Sequence, residues 1–443
     1  MNTAVRTVDD IQVNLQNGNF EIAVDIAKEI VQENPKEVYC LSLIAQSEFN
    51  AGQLDDAKKT LKKALKIEKG EINLNRNLGI IYNKLGKFKK SVKAYLQGIK
   101  ANRTHPEIML DVLLMGISLY KVSPKKALRV IESAFAQSPQ LKNAYMNQEE
   151  LPFIQEASNI ANHLARDIKY ASQKKALDEI CLGFDKDKCT RLYGFLDIFH
   201  GISAPSYADK LQRPTYHVFP DLEPVPFYDA QGFSWQHHLE DNWQAIKAEL
   251  EALYQEKSTV RPYIDGAITG NEGLDALADS YDWSSIHLIQ AGQYKHERLE
   301  KCPVTKKVLQ KLPLPVLSGN APEAFLSVLQ PGAEIKPHFG LSNIKLTVHL
   351  GLDIPIDCAI RVGDEVQYWQ DGKVLIFDDS FEHEAWNRSD KERKVFILEV
   401  WHPDLSKLER LGITKIMELQ NHVSEIAQND DLQSLIKIAQ KAV

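Results

Sequence analysis

Three glycines, Gly18, Gly52 and Gly86, recur at a spacing of 34 residues, and this period constrains the fold more than any other feature of the chain. An apolar residue follows each glycine by two positions (Phe20, Leu54, Phe88) and a small one by five (Ala23, Ala57, Ser91). Apolar helical patterns such as Leu78-Gly79-Ile80-Ile81-Tyr82 run up to the glycines. This predicts helix–turn–helix units. Glycine makes the turn because a residue without Cβ accepts positive φ cheaply, and the small residue lets the second helix approach the first. One unit cannot bury its own apolar face, so at least three must stack.

The period and pattern resemble the tetratricopeptide repeat. A fourth, degenerate copy is expected from Pro106 to Pro139, with Ala127 as its small position after a short insertion. Helical patterning without a repeat continues from Tyr145 to about Phe195. Gly201 to Pro226 holds five prolines and predicts an extended linker or entry segment to the next domain. Leu239 to Tyr254 predicts one amphipathic helix, with Trp243, Ile246, Leu250 and Leu253 at helical spacing.

Beyond Trp283 the texture turns to short alternating strands. Ile344, Leu346, Val348 and Leu350 alternate with Lys345, Thr347 and His349, and the turns fall at Pro331-Gly332, Gly363-Asp364 and Asp371-Gly372. Such strands predict a β-sandwich or jelly roll. From Leu405 onward the pattern is helical again. The expected fold class is therefore α+β and multidomain. An all-α repeat solenoid (residues 1–140) and a helical connector (141–200) precede a β domain (201–405), and a helical tail (406–443) ends the chain.

A formal charge of −7 argues against nucleic acid as the main partner, since phosphate binding needs an excess of Lys and Arg. The runs Lys58-Lys59, Lys62-Lys63 and Lys87…Lys89-Lys90 have helical spacing and read as solvated faces. Cys40, Cys181, Cys189, Cys302 and Cys358 are odd in number and lack CxxC spacing, which suits a reducing compartment and offers no zinc or disulfide framework. No apolar h-region opens the sequence and no stretch approaches a membrane span, so a cytoplasmic protein is expected.

Two histidines of the β region carry the chemistry. His338 lies in Lys336-Pro337-His338-Phe339-Gly340, and His383 follows 45 residues later. Histidines on neighbouring jelly-roll strands can converge on one metal, and imidazole suits Fe(II). Their settings are specific. The runs PHFGLSNIKLTVHLGL (Pro337 to Leu352) and GKVLIFDDSFEHEAW (Gly372 to Trp386), with Trp401-His402-Pro403, resemble the aspartyl/asparaginyl β-hydroxylase family. Weaker similarity reaches back through Asn242-Trp243 to Phe219-Pro220-Asp221-Leu222.

That resemblance implies a double-stranded β-helix (jelly-roll or cupin-like) oxygenase that uses Fe(II) and 2-oxoglutarate to hydroxylate an unactivated carbon, most typically the β-carbon of a peptide Asp or Asn. It makes His338 and His383 the iron ligands, with Gly340 where many related oxygenases have a third, carboxylate ligand. Arg393 would anchor the distal carboxylate of 2-oxoglutarate, Ser327 would donate a hydroxyl to the same end, and His349 would lie near the chelating end. Thr347 stands where relatives have a co-substrate arginine. Lys345 replaces a substrate-gripping arginine, and Ala276-Leu277-Ala278-Asp279 occupies the place of another. A peptide or protein presented by the repeats is the expected substrate. A free amino acid, a small peptide, a lipid acyl chain, or an inactive repeat scaffold are the alternatives. The flanking Asp378, Asp379, Glu382 and Glu384 read as turn chemistry and solvated strand ends, and Trp369, Phe377, Phe381 and Trp386 as core.

Overall fold

The structure, a computed structural model, describes residues 6–266, 272–317 and 319–443. They divide into two compact units, Met1–Ala171 with His422–Val443, and Ser172–Asn421. These divides differ from the boundaries at 140, 200 and 405 drawn from the sequence. One apolar stripe of the helix Pro152–Ile180 (Ile154, Ala161, Ala165, Ile168) joins the core of the repeats, and so do Leu435, Ile436 and Ala439 of the last helix. Chain texture does not report such packing.

The first unit is built of four helical hairpins, as the period implied. They are α1 (Val8–Gln16) with α2 (Phe20–Glu33), α3 (Val38–Asn50) with α4 (Leu54–Ile67), α5 (Ile72–Lys84) with α6 (Phe88–Ala101), and α7 (Ile108–Leu119) with α8 (Pro124–Gln137). Gly18, Gly52 and Gly86 have φ of 78°, 76° and 68°. Each donates to the carbonyl three residues back, and the next residue donates to the one five back (Asn19 to Asn14, Gln53 to Glu48, Lys87 to Tyr82, each 2.8 Å). This Schellman closure satisfies the orphan carbonyls of the first helix. Ala23, Ala57, Ser91 and Ala127 are fully buried, and Ser91 Oγ donates to Gly79 O at 2.7 Å, pinning α6 against α5. Arg76 of α5 forks onto Asp111 of α7 at 2.9 and 2.8 Å, with side chains only 8% and 2% exposed.

The second unit carries the β domain. Its strands are β1 (Phe227–Tyr228), β2 (Arg261–Pro262), β3 (Trp283–Gln290), β4 (Gln293–Tyr294), β5 (Ala324–Leu329), β6 (Glu334–His338), β7 (Lys345–Asp353), β8 (Cys358–Val362), β9 (Glu365–Tyr368), β10 (Val374–Phe377), β11 (His383–Asn387) and β12 (Arg393–Trp401). An eight-stranded sheet runs β1-β10-β7-β12-β5-β3-β2, with β4 beside β3, and faces a four-stranded sheet β6-β11-β8-β9. All the pairings are antiparallel. This is the two-sheet architecture expected of the region. The period of two sorts the large sheet cleanly. Leu346, Val348, Leu350, Phe396, Leu398 and Val400 pack in one core with the helix Trp243–Gln255, while Trp283, Phe325, Val395 and Ile397 face the small sheet.

Three expectations need correction. The Leu239–Tyr254 helix is two, Gln236–Glu240 and Trp243–Gln255, broken at Asp241-Asn242. The region beyond Trp283 is not all strand: helices His296–Lys301 and Pro303–Leu309 intervene, and Leu299, Val308 and Leu309 help to cover the outer face of the large sheet. The proline-rich segment is no free linker. Thr215 N and Tyr216 N donate to Gly340 O and Leu341 O at 3.1 and 3.0 Å, and Arg213 N donates to Ser380 O at 2.9 Å.

The buried Arg76–Asp111 fork gives a stability test. Asp111→Ala leaves the buried Arg76 guanidinium with only the half-exposed Glu107, 3.0 Å away, as an ion partner and should cost about 3 kcal/mol, whereas Arg76→Met with Asp111→Leu should recover most of it. Chemical denaturation of the three proteins measures both; an Asp111→Ala protein as stable as the parent would mean the pair is not buried.

Candidate active site

Between the two sheets lies a cavity of about 640 Å³. Its lining includes all seven residues singled out in the sequence: Ser327, His338, Lys345, Thr347, His349, His383 and Arg393. Thr215 and Tyr216, from the proline-rich segment, form part of the wall.

The histidine pair is set by strand register. β6 and β11 pair so that His383 is directly opposite His338, and the two rings lie 4.1 Å apart between centroids. His338 Nδ1 lies 2.8 Å from Lys336 O, and His383 Nδ1 lies 2.9 Å from Phe381 O. A carbonyl can only accept, so each Nδ1 carries the hydrogen and each Nε2 keeps its lone pair. Burial, reinforced by the neighbouring His383, lowers the His338 pKa to about 3, and burial lowers that of His383 too. Both rings are neutral at pH 7, which is the state a metal ligand needs.

Gly340 is where sequence reasoning missed a residue. A Cβ at Gly340 would lie 2.5 Å from Asp379 Cγ, so the Asp379 carboxylate fills the notch that glycine leaves. Its Oδ1 is buried without a hydrogen-bond donor among the described residues. Asp379 therefore borders the cavity beside the histidines and is no simple turn residue. Its neighbour Asp378 is buried and accepts from Gln212 Nε2 at 2.9 Å, and burial pushes its pKa up to about 7. Glu382 and Glu384 do lie at the start of β11, both paired with Arg361.

At the other end, Arg393 is 1% exposed, and its Nε and Nη1 have no acceptor among the described residues. Its guanidinium lies 4.9 Å from the Trp369 ring centroid, and burial lowers its pKa to about 10. Trp369 also donates from Nε1 to His349 Nδ1 at 3.1 Å, and Phe377 packs edge-on to His349 at 4.9 Å. These two aromatics, expected as core, are also walls of the cavity. Ser327 Oγ accepts from Trp283 Nε1 at 3.1 Å, which leaves its own hydrogen free to donate. Thr347 is buried in the lining. Lys345 is there too, but its ammonium is hydrogen-bonded to Glu399 and lies 3.5 Å from Asp379 Oδ2. Burial opposes that charge, but Asp379 and Glu399 outweigh it and raise the Lys345 pKa.

Among the described residues, no three His, Cys, Asp or Glu side chains are grouped as a ready metal cage. Two neutral imidazoles with a carboxylate nearby make an open centre, suited to a metal that must also bind exogenous ligands. No helix of the described residues is long and apolar enough to cross a membrane.

Known proteins match the same region. Residues 240–403 match the Aspartyl/Asparaginyl beta-hydroxylase family, and residues 76–105 match a tetratricopeptide repeat. Aspartate beta-hydroxylase domain-containing protein 2 of Xenopus tropicalis is 33% identical over 46% of this chain and 55% of its own length. The human aspartyl/asparaginyl beta-hydroxylase is 33% identical over 47% of this chain and 27% of its own. The ornithine lipid ester-linked acyl 2-hydroxylase of Rhizobium tropici is 34% identical over 40% of this chain and 61% of its own. The chain thus spans between about a quarter and six-tenths of the length of these relatives.

The Gly340 notch can be tested directly. Gly340→Ala should destabilise the β domain by roughly 1–3 kcal/mol through overpacking, and Asp379→Ala should relieve the cost. Thermal melts of the single and double variants read this out, and an unperturbed Gly340→Ala protein would show that the carboxylate lies elsewhere.

Proposed function

We propose, from the premise that residues 240–403 are an aspartyl/asparaginyl β-hydroxylase domain, that this protein is an Fe(II)- and 2-oxoglutarate-dependent hydroxylase. The observation that carries this reading is Arg393. A guanidinium buried in a cavity with two unpaired nitrogens is costly unless an anion enters to pair with it. It shares that cavity with two neutral histidines whose free nitrogens suit a divalent metal. A dicarboxylate that chelates a metal at one end and meets a guanidinium at the other fits both needs.

His338 and His383 would hold the metal through Nε2. Arg393 would take the distal carboxylate of 2-oxoglutarate in a two-bond fork, and Ser327 would donate its hydroxyl to the same group. His349, fixed by Trp369, and Thr347 would border the co-substrate. Bound Fe(II) with 2-oxoglutarate would supply the activation of O₂ and the oxidation of a C–H bond. In sum, substrate C–H, O₂ and 2-oxoglutarate give C–OH, succinate and CO₂. The substrate is most simply a peptide or protein, hydroxylated at an Asp or Asn β-carbon and presented by the repeats, which stack into a surface of the kind that holds extended peptides. A second reading, hydroxylation of an acyl chain, is favoured by the likeness to the ornithine lipid acyl 2-hydroxylase. Mass spectrometry for a gain of one oxygen over peptide, amino-acid and lipid pools separates the two.

Two variants test the site. His383→Ala should abolish iron-dependent succinate formation while leaving circular dichroism unchanged; undiminished turnover would remove the histidine pair from the mechanism. Arg393→Ala should chiefly raise KM for 2-oxoglutarate, by roughly 30- to 1000-fold for a buried charge-assisted pair worth ~2–4 kcal/mol. An unchanged KM would mean the co-substrate is anchored by another group.

A further inference from the structure

We propose that Arg261 and Arg298 form an anion subsite beside the cleft, where an acidic residue of the peptide substrate docks next to the residue that is hydroxylated. The proposal rests on the reading of the cleft as the hydroxylating site. It starts from a second cavity, of about 470 Å³, that shares Tyr263, His287 and Gln290 with the first. A peptide in the cleft therefore has a neighbouring chamber within reach of its next side chain.

Two guanidiniums border that chamber, and among the described residues neither has a carboxylate partner. Arg261 opens β2, opposite Ser285 of β3, and its Nη1 donates to Val260 O at 2.8 Å. Arg298 lies in the helix His296–Lys301, and its Nη1 donates to His287 O at 2.8 Å. Both contacts are to backbone carbonyls, and among the described residues neither arginine forms an ion pair. Asp265 and Glu297 also border the chamber, but they pair with neither arginine. Burial, and then the charge of Arg261, lower the Arg298 pKa, as expected where a like charge stands nearby. Lys295 adds a third cation to the lining.

The cleft itself explains why an anion would be received there. Its lining holds two Lys or Arg side chains, Arg393 and Lys345, among the described residues. Arg393 is assigned to the co-substrate, and Lys345 is already occupied by Glu399 and Asp379. A substrate carboxylate entering the cleft would meet no free cation, whereas Arg261 and Arg298 offer two next door. The chamber's chemistry favours a peptide over a lipid. Apart from Pro262 its walls are polar, charged or aromatic, with no aliphatic floor for an acyl chain.

Fluorescence anisotropy on the metal-free full-length protein tests this without recourse to turnover. Short labelled peptides with a central Asn, flanked by Glu, Gln or Lys, serve as probes. The Glu peptide should bind roughly tenfold tighter than the Gln peptide, by charge-assisted pairing, and the preference should shrink as salt is added. Arg261→Glu should reverse the order in favour of the Lys peptide. Arg261 is exposed, so this variant should fold, and Arg298→Ala should reduce the preference independently. Equal affinities in the parent, or a preference untouched by either variant, would overturn the proposal. So would vesicles of phosphatidylglycerol that bind through Arg261 while the peptides do not discriminate, since the occupant would then be a lipid headgroup. A protein with the peptide preference but no succinate formation would sink the oxygenase reading and leave the subsite standing; the converse would do the opposite.

Discussion

The antiparallel register of β6 against β11 is the constraint on which the site depends. It sets His338 directly opposite His383, in the short cross-strand geometry that lets two imidazoles share one small target. A slip of one residue would send one ring to the outer face of the sheet. The register is secured from both sides. β11 pairs through all five residues with β8, and the loop ahead of His383 is tied by Arg213 N to Ser380 O and by Gln212 to Asp378. The irregularity between His383 and Ala385 falls just after the histidine, so it re-aims the strand without disturbing the pair.

Two buried cations in one cavity meet opposite fates, and the contrast defines the chemistry. Lys345 and Arg393 are both nearly inaccessible, and both bear the desolvation penalty of burial. Lys345 offsets it internally with Glu399, a cross-strand neighbour on β12, and with Asp379. Arg393 has only the face of Trp369 and no carboxylate among the described residues. The fold pairs one cation and leaves the other without a carboxylate among the described residues, and on that contrast rests the proposed anion-binding role of Arg393 rather than Lys345.

What the sequence disclosed follows the range of the interactions. The hairpin turns at Gly18, Gly52 and Gly86 rest on local backbone geometry, and they appear with the positive φ that the period implied. The facing of Lys345, Thr347 and His349 into one cavity needs only a period of two. The capture of Lys345 by Glu399 could not be read, because it depends on a pairing between residues 54 apart. Asp379 was misjudged for a related reason. Asp379 looks like a turn residue in its own context, and only the contact of its loop with Gly340, reinforced by Gly340 N donating to Asp379 O at 2.7 Å, reveals the notch it fills. The proline-rich segment likewise has no periodicity of its own. Its role as a wall comes from backbone hydrogen bonds to Gly340 and Leu341.

The same alternation that exposed the facing also separates stability from chemistry within single strands. On β7, Leu346, Val348 and Leu350 are fully buried in the core shared with the covering helices, while Lys345, Thr347 and His349 line the cavity. On β12, Phe396, Leu398 and Val400 do the first job, and Arg393, Ile397 and Glu399 the second. Core burial of the even-numbered side chains contributes roughly 1.5–3 kcal/mol each, whatever stands at their odd-numbered neighbours. The cavity residues can therefore be exchanged with little effect on the sheet that carries them, provided buried charges remain matched. Lys345, held by Glu399 and Asp379, shows how a buried charge on the cavity side of a strand is matched while the core side of the same strand is left undisturbed.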